Sequence, residues 1–563
     1  MFSRRRTKAT CIALGSFFCA VSQAQAIPDA GSILRDQQSG QLQQPLQRPA
    51  SEVKKDQSPV NKSGIRVLVK GFTFIGYDGV ATESELQAIT SSYIGKTIFF
   101  SELQLLVETV TANLKNKGWF LAKAYLPKQD VTSGVIEIAV SQGKSDGTLS
   151  IKRDKSARIN TTTVQRIGEL AIRNGHSLNE KKLERSVLLM SDLPGVNARA
   201  SLAPGKVPNS SGVEISVTEG PLFSGTAWTD NQGNIYTGAL RGNLMLSLND
   251  PLRYGDQMTL LLTEASGLTQ GRIGYSFPVA RDGLRANLAY SAMRYELGGE
   301  LAGLQLKGQS HNIDAGLSYS MIRSRNSNLS TSFSYGFKSL LDTQAASDLR
   351  DKQLSSATIG MNGGYNDQFF GGGSTNLNLG MTAGSIQESV ASTEGRYRRL
   401  NFGVSRLQRL APRLSLNLSL SAQSASDNLD SSEKFTLGGP NALRAYPVGE
   451  GAGDEGQLIT ADLRYNLPVS AKLGIFQVSG FIDAGNITLQ KNEVIAPSTA
   501  TNRNNYWLQG AGLGFNYAYS GTFSLRGSWA HVIGDNPGRT AAGNNADGHS
   551  DKSRFWMQAM FYF

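Results

Sequence analysis

Cysteine is almost missing from this chain. Its 563 residues include two, Cys11 and Cys19. Both lie in a segment with the grammar of an export signal: basic Arg4, Arg5, Arg6 and Lys8, an apolar stretch from Cys11 to Val21, and Ala24-Gln25-Ala26 as a small-x-small cleavage site. Cleavage after Ala26 is expected. The mature chain then carries no disulfide and no thiol chemistry. Phe17-Phe18 precede Cys19, where a lipoprotein site prefers small residues, so no lipid anchor is expected. Long apolar runs are also missing. No stretch reaches the ~18 residues of a membrane-spanning helix. The mean hydropathy of −0.25 and the 39% hydrophobic content suit a water-soluble protein. They suit a membrane β-barrel equally, because a barrel turns polar side chains inward. Histidine is scarce: His176, His311, His531 and His549 are scattered without metal-ligand spacing. Removing the four basic residues of the leader takes the formal charge from +11 to +7. Export and the lack of basic clusters interleaved with aromatics argue against nucleic acid as a partner.

Motifs of catalysis fail on context. Gly451-Ala-Gly-Asp-Glu-Gly456 fits a dinucleotide fingerprint but opens a strand, not a helix. Gly143-Lys-Ser-Asp-Gly147 fits a nucleophile elbow but joins two strands. Gly143-Lys144-Ser145 and Gly95-Lys96-Thr97 lack the upstream glycine of a P-loop, with Ile138 and Thr90 in its place. No cofactor, no ATP-driven step and no enzymatic activity are expected.

What is present falls into two textures. Residues 27–64 are polar and form a linker after a short candidate helix. Residues 65–143 read as β-α-α-β-β. Ile65, Val67 and Val69 alternate in a strand that ends at Gly71. Thr82 with Glu85 is one capping box and Ser101 with Gln104 a second. Leu103, Leu106, Val107, Val110 and Leu114 then recur with helical period before Gly118. Strands are expected at Phe120–Leu126 and Gly134–Val140. Residues 144–220 repeat the order, with helices over Thr162–Arg173 and Asn179–Met190 and strands at Leu149–Lys152, Val196–Leu202 and Val213–Val217.

From residue 221 to 563 helical periodicity disappears. Apolar residues alternate with polar or small ones, as in Leu414, Leu416, Leu418 and Leu420, in Ile459, Ala461, Leu463 and Tyr465, and in Ile313, Ala315, Leu317 and Tyr319. About sixteen such segments fit, an even number typical of outer-membrane barrels. The chain ends with Phe555, Met557, Ala559, Phe561 and Phe563 on one face. A last strand of this kind closes a barrel against the first, leaving no free edge, and Phe563 is read as the closure and assembly signal. By alternation Arg241, Arg272, Arg285, Arg464, Arg526 and Arg554 face the lumen, with Asp314, Asp462 and Asp483. Such a wall either keeps an extended polypeptide solvated or braces the barrel with ion pairs.

Several stretches carry a family resemblance. Tyr125-Leu-Pro-Lys-Gln-Asp130 with Gly134-Val-Ile-Glu-Ile-Ala-Val140 resembles the first POTRA domain of two-partner secretion transporters (TpsB). Leu188-Leu-Met-Ser-Asp-Leu-Pro-Gly-Val196, Pro204-Gly205 and Val217-Thr-Glu-Gly220 resemble the second. Leu437-Gly-Gly-Pro-Asn-Ala-Leu-Arg-Ala-Tyr446 is similar to the family's long-loop motif, here within a loop spanning about 427–455. Phe481-Ile-Asp-Ala-Gly485 is similar to its partner-strand motif. Leu443 and Ala445 depart from the family's Val and Gly, and Ala445 would matter if its backbone needed positive φ. The resemblance implies two POTRA domains before a sixteen-stranded barrel. It also implies an outer-membrane pore with periplasmic POTRA domains that passes an unfolded TpsA-type exoprotein, adhesin- or haemolysin-like, to the cell surface. Outer-membrane lipids, periplasmic chaperones and the barrel assembly machinery are the other implied partners. For Ile27–Gln47 it implies a plug helix, although the amphipathic pattern there is weak. An insertase that assembles other barrels is the alternative.

The loop motif poses a charge problem. An arginine carried into a lumen needs a carboxylate. In the strand from Ile475 to Asp483, Gln477, Ser479 and Asp483 share a face, which points Asp483 inward. Ile475 and Phe481 fall on that face too and blur the pattern. A bidentate Arg444–Asp483 pair would latch the loop. The alternative is that Arg444 is solvated on an extracellular loop.

Overall fold

The computed structural model describes residues 27–39 and 66–563, except 173–174, 208–209, 346, 389–392, 495–496 and 498. The export signal, the linker and the start of the first expected strand at Ile65 lie outside the described residues.

The first α/β unit is a three-stranded sheet in the order Gly71–Ile75, Val135–Ser141, Lys123–Tyr125, backed by the helices Glu83–Thr90 and Phe100–Asn116. Thr82 and Glu85 cap the first helix reciprocally. A hydrogen bond from Lys117, helped by the Thr82 N–H, holds the Glu85 carboxyl down at about 2. The second expected box is corrected. The helix starts at Phe100, where the Glu102 carboxylate accepts the Phe99 N–H at 2.8 Å, and Ser101 Oγ is buried without a hydrogen-bond partner. The strand expected to end at Gly71 is two strands. Arg66–Leu68 pairs with Thr97–Phe99 in a small sheet of its own, and Gly71–Ile75 then joins the main sheet parallel to Val135–Ala139. The apolar helix face, Leu103, Leu106, Val107, Val110 and Leu114, packs on Ile136, Ile138 and Phe74.

The second unit repeats the plan, with Ser145–Arg153, Ser211–Glu219 and Val196–Pro204 as its sheet. Its first helix spans Thr161–Gly168, shorter than the periodicity suggests. Gly168 lies against Leu149 and Ile215, and the chain tightens into i→i+3 bonds at Leu170 and Ala171.

Sixteen antiparallel strands, from Phe223–Asp230 to Ser553–Tyr562, form a closed barrel. The last strand pairs with the first over Gln558–Tyr562 and Asp230–Thr226. Phe563 extends that seam through its backbone: its N–H donates to the Gly225 carbonyl at 3.0 Å, and the Gly225 N–H donates to the Phe563 carbonyl at 2.7 Å. The Phe563 ring covers Gly225, where a Cβ would lie 2.4 Å from it. Ile313, Leu317, Leu418, Ile459 and Leu463 stand exposed on the outer wall, where lipid takes the place of a protein core. Among the described residues no helix is long and apolar enough to cross a membrane.

The second α/β unit docks on one end of the barrel. Arg323 forks onto Asp192 at 2.7 and 2.8 Å, and Arg185 donates to the carbonyls of Asp282, Ser320 and Met321. Arg158 binds Glu219, Gly220 and the Asn249 carbonyl at the entry to the first hairpin. This is the end expected to face the periplasm. The long loop and the hairpins around residues 266 and 305 lie at the other.

Candidate functional site

The lumen is filled by two elements, and each brings an apolar patch and a set of charges. The strand Ile475–Thr488 turns Gln477, Phe481, Asp483, Gly485 and Ile487 inward, all buried or glycine, while Val478 and Ile482 face out. The loop between the strands Leu414–Ala425 and Glu455–Asn466 folds back onto this inner face. Its tip places Leu437, Leu443, Ala445 and Tyr446 against Phe481, Ile487, Tyr506 and Leu508. The inward Phe481 that blurs the alternation is therefore a floor for the loop. The Arg444 guanidinium lies 3.3 Å above the centre of its ring, a cation–π arrangement.

Arg444 makes a fork with Asp483, Nη2 to Oδ1 at 2.6 Å and Nε to Oδ2 at 2.9 Å, and its backbone N–H reaches Oδ2 at 3.2 Å. It also binds Asp462 Oδ1 at 2.9 Å, and Asp462 in turn binds Arg464 at 3.0 Å. The arrangement is thus a chain of four charges, Asp483, Arg444, Asp462 and Arg464. Trp556 Nε1 donates to the Arg444 carbonyl at 2.8 Å, and the Tyr446 hydroxyl donates to the Gln509 carbonyl at 3.3 Å. Two wall glycines make room for the tip. A Cβ at Gly485 would meet Leu437 at 2.4 Å, and one at Gly510 would meet the Ala445 Cβ at 2.5 Å. Ala445 is not among the residues with positive φ. The strain considered for alanine at this place does not arise, and Gly510 accommodates its methyl group.

The sequence does not point to the second element's contacts. The helix Ala30–Ser39 sits in the outer half of the lumen and buries Ala30, Ile33 and Leu34 against Leu268, Met293, Tyr295, Leu340 and Leu354. The Ala30 N–H donates to Asp342 Oδ1 at 2.9 Å. Lys352 bridges Asp29 at 3.2 Å and Asp430 at 2.7 Å, so one wall lysine ties the helix to the loop. Ser431 Oγ donates to Asp29, and Arg35 donates to the Ser431 carbonyl. A Cβ on Gly31 would lie 2.3 Å from Ser431 Oγ. Glu433 of the loop binds Lys338 at 2.6 Å and Arg399 at 2.9 Å.

The other lumen arginines are spread around the wall. Arg241 pairs with Asp230 at 2.8 Å and reaches Gln37 of the helix at 3.1 Å. Arg272 pairs with Asp314 at 3.1 Å. Arg285 donates to the Gly255 carbonyl and to Ser276 at the periplasmic end. Arg554 pairs with Asp547. Arg526 lines a small cavity with Arg444, Asp462 and Arg464. Of the residues singled out from sequence, Arg444, Asp462, Arg464, Asp483 and Arg526 come together, and Arg272, Arg285 and Arg554 stand apart. Among the described residues no cluster could hold a metal ion.

Known proteins are similar to this chain in sequence and in fold. The family described as haemolysin secretion/activation protein ShlB/FhaC/HecB matches residues 209–517, and the ShlB-type POTRA domain matches residues 67–143. The heme/hemopexin transporter protein HuxB of Haemophilus influenzae strain 86-028NP is 27% identical over 99% of this chain and 98% of its own length. The outer membrane transporter CdiB of Escherichia coli O6:K15:H31 strain 536 is 22% identical over 82% of this chain and 77% of its own. A solved CdiB from Escherichia coli superposes with a TM-score of 0.72 at 18% identity, covering 90% of this chain and 93% of that one. BamA from Haemophilus ducreyi lacking POTRA domains 1–3 shares the fold at a TM-score of 0.51. The match does not favour the insertase alternative. The family match spans more than half the chain: this protein belongs to the haemolysin secretion/activation proteins ShlB/FhaC/HecB, outer-membrane transporters of the two-partner secretion type that export a partner exoprotein.

Proposed function

We propose that the exoprotein's path is the barrel lumen and that the structure is its resting, plugged form. The supporting observation is the position of Arg444, which binds carboxylates on two adjacent wall strands while its own backbone belongs to the loop. In this reading the loop tip is a latch, held by charge pairs that rearrange without covalent chemistry. The Ala30–Ser39 helix is a second plug, tied to the loop by Lys352. The POTRA domains receive an extended segment of the exoprotein on an edge strand, the edges being Gly71–Ile75 and Lys123–Tyr125 in the first and Ser145–Arg153 and Val196–Pro204 in the second. Folding of the exoprotein outside the cell makes the passage one-way. Periplasmic chaperones and the barrel assembly machinery deliver the barrel itself, reading the terminal strand that ends at Phe563.

The test compares proteins of the medium and cell surface in cells with the protein, without it, and with Arg444→Ala. Loss of one large exoprotein with other barrels at normal abundance, in both altered strains, is the expected result. Unchanged secretion with a joint fall of many barrels would restore the insertase reading.

A further inference from the structure

The outer wall carries a groove that none of the transport machinery uses. It has a volume of about 480 Å³ and lies at the extracellular ends of the strands Gln257–Ala265, Leu268–Pro278, Leu284–Glu296, Leu306–Arg323 and Ser327–Gln344. Strand alternation fixes its level. On the outer face Leu288, Tyr290 and Ala292 are followed by Arg294 and Glu296, and on the neighbouring strand Ile313 and His311 are followed by Gln309 and Lys307. The Tyr290 hydroxyl and His311 Nδ1, 2.8 Å apart, mark the top of the apolar belt, as aromatic residues do where hydrocarbon meets headgroups. The groove begins at Gln309, one outward residue above His311 and about 7 Å further along that strand, level with Arg294 on its neighbour. That is the headgroup layer of the outer leaflet.

Its polar lining brings together two cations, Arg294 and Lys307, two carboxylates, Glu264 and Glu296, and the neutral Thr269, Gln309 and Thr343. Arg294 stands between Thr269 and Gln309 in the register, exposed and without a hydrogen bond or ion pair among the described residues. Lys307, opposite Thr343, holds only Glu296 at 3.1 Å, and both side chains are more than half exposed. A phosphate bound by Arg294 and Lys307 would gain charge-assisted hydrogen bonds. Glu264, which accepts the Thr269 hydroxyl at 3.0 Å, can accept from sugar hydroxyls beside Gln309, and the acyl chains would continue down the belt past Tyr290 and Ile313. We infer that this groove binds a phosphorylated glycolipid of the outer leaflet. Its inner side is the seat of the helix plug: Tyr295, next to Arg294, donates to Asp342 Oδ1 at 2.6 Å, and the same oxygen accepts the Ala30 N–H. The bound lipid stiffens the wall against which the helix rests.

The experiment is native mass spectrometry of the purified full chain, titrated with a diglucosamine bisphosphate glycolipid of the lipid A type. One tight site is expected. Its affinity should fall at least about tenfold in Arg294→Ala/Lys307→Ala, stay near the parent in Arg294→Lys, and be unchanged in Arg409→Ala at the opposite end of the barrel. The dephosphorylated lipid should bind at least about tenfold more weakly, and inorganic pyrophosphate should fail to displace the glycolipid. Equal binding of the dephosphorylated lipid, retention by the double variant, or displacement by pyrophosphate alone would overturn the inference. Heat-modified gel migration of each variant separates loss of the site from loss of the fold.

Discussion

At Arg444 the energetics are those of a buried charge with more than one partner. Its side chain is largely buried, and that of Asp483 is wholly so. Arg444→Ala strands both Asp483 and Asp462, whereas Asp483→Asn leaves Arg444 on Asp462. Breaking a buried pair costs about 3–5 kcal/mol, and losing one charged hydrogen-bond partner about 1.5–3 kcal/mol. Hydrogen exchange of residues 437–446 should therefore show Arg444→Ala opening the loop more than Asp483→Asn does. Adding Asp462→Asn and Asp483→Asn to Arg444→Ala should recover part of the loss. Equal effects of the two single changes would mean that Asp462 plays no part. Gly485 gives an independent check. Valine there drives a side chain into Leu437 and Leu443, an overpacking worth about 1–3 kcal/mol, while valine at Gly380, with nothing within 4 Å of its Cβ, should leave loop exchange unchanged. Parity along Ile475–Asp483 already turns Asp483 inward in the sequence. What parity leaves out is Asp462 as second partner, because that pairing depends on how neighbouring strands register, Asp462 opposite Phe481.

At the scale of elements, the alternation of the barrel strands is legible wherever lipid lies on one side and water on the other. It fails toward the outer ends, where Leu268, Met293, Leu340 and Leu354 point inward and are apolar. They cover the helix plug, and no period-2 rule anticipates a second hydrophobic core inside a lumen. The helix itself reads weakly for the matching reason. It is enclosed by wall and loop, so it buries Asp29 and Gly31 alongside Ile33 and Leu34 and presents no clean apolar stripe. The short first helix of the second α/β unit and the start of Phe100–Asn116 are set by tertiary contacts and a competing cap that local pattern does not carry. If Lys352 joins helix and loop, Lys352→Met leaves Asp29 and Asp430 without their shared cation. Single-channel recording in planar bilayers should then show open events at least several-fold more frequent than in the parent. Unchanged recordings would mean that the two plugs are held independently.

At the scale of the molecule, the order of domains could be read from texture alone: two β-α-α-β-β units and then period-2 strands to a terminal phenylalanine. How they join could not, because Arg158, Arg185 and Arg323 act on backbone carbonyls and on acids remote in sequence. Seen whole, the protein is a barrel whose lumen is built like a protein interior, and the proposed route through the lumen requires that interior to come apart. Reversible locking tests this most directly. The only cysteines, Cys11 and Cys19, lie in the leader expected to be removed, so Ala445→Cys with Gly510→Cys would add a single pair. A Cβ at 510 lies 2.5 Å from the Ala445 Cβ, and relaxation by about 1 Å gives disulfide spacing. The measurement is the amount of exoprotein released by cells carrying this pair, oxidised and then reduced. Release that is blocked when oxidised and restored by reductant is the predicted result. Release at the parent level with the disulfide formed would contradict the account, because the loop tip would then stay on the wall while cargo passes.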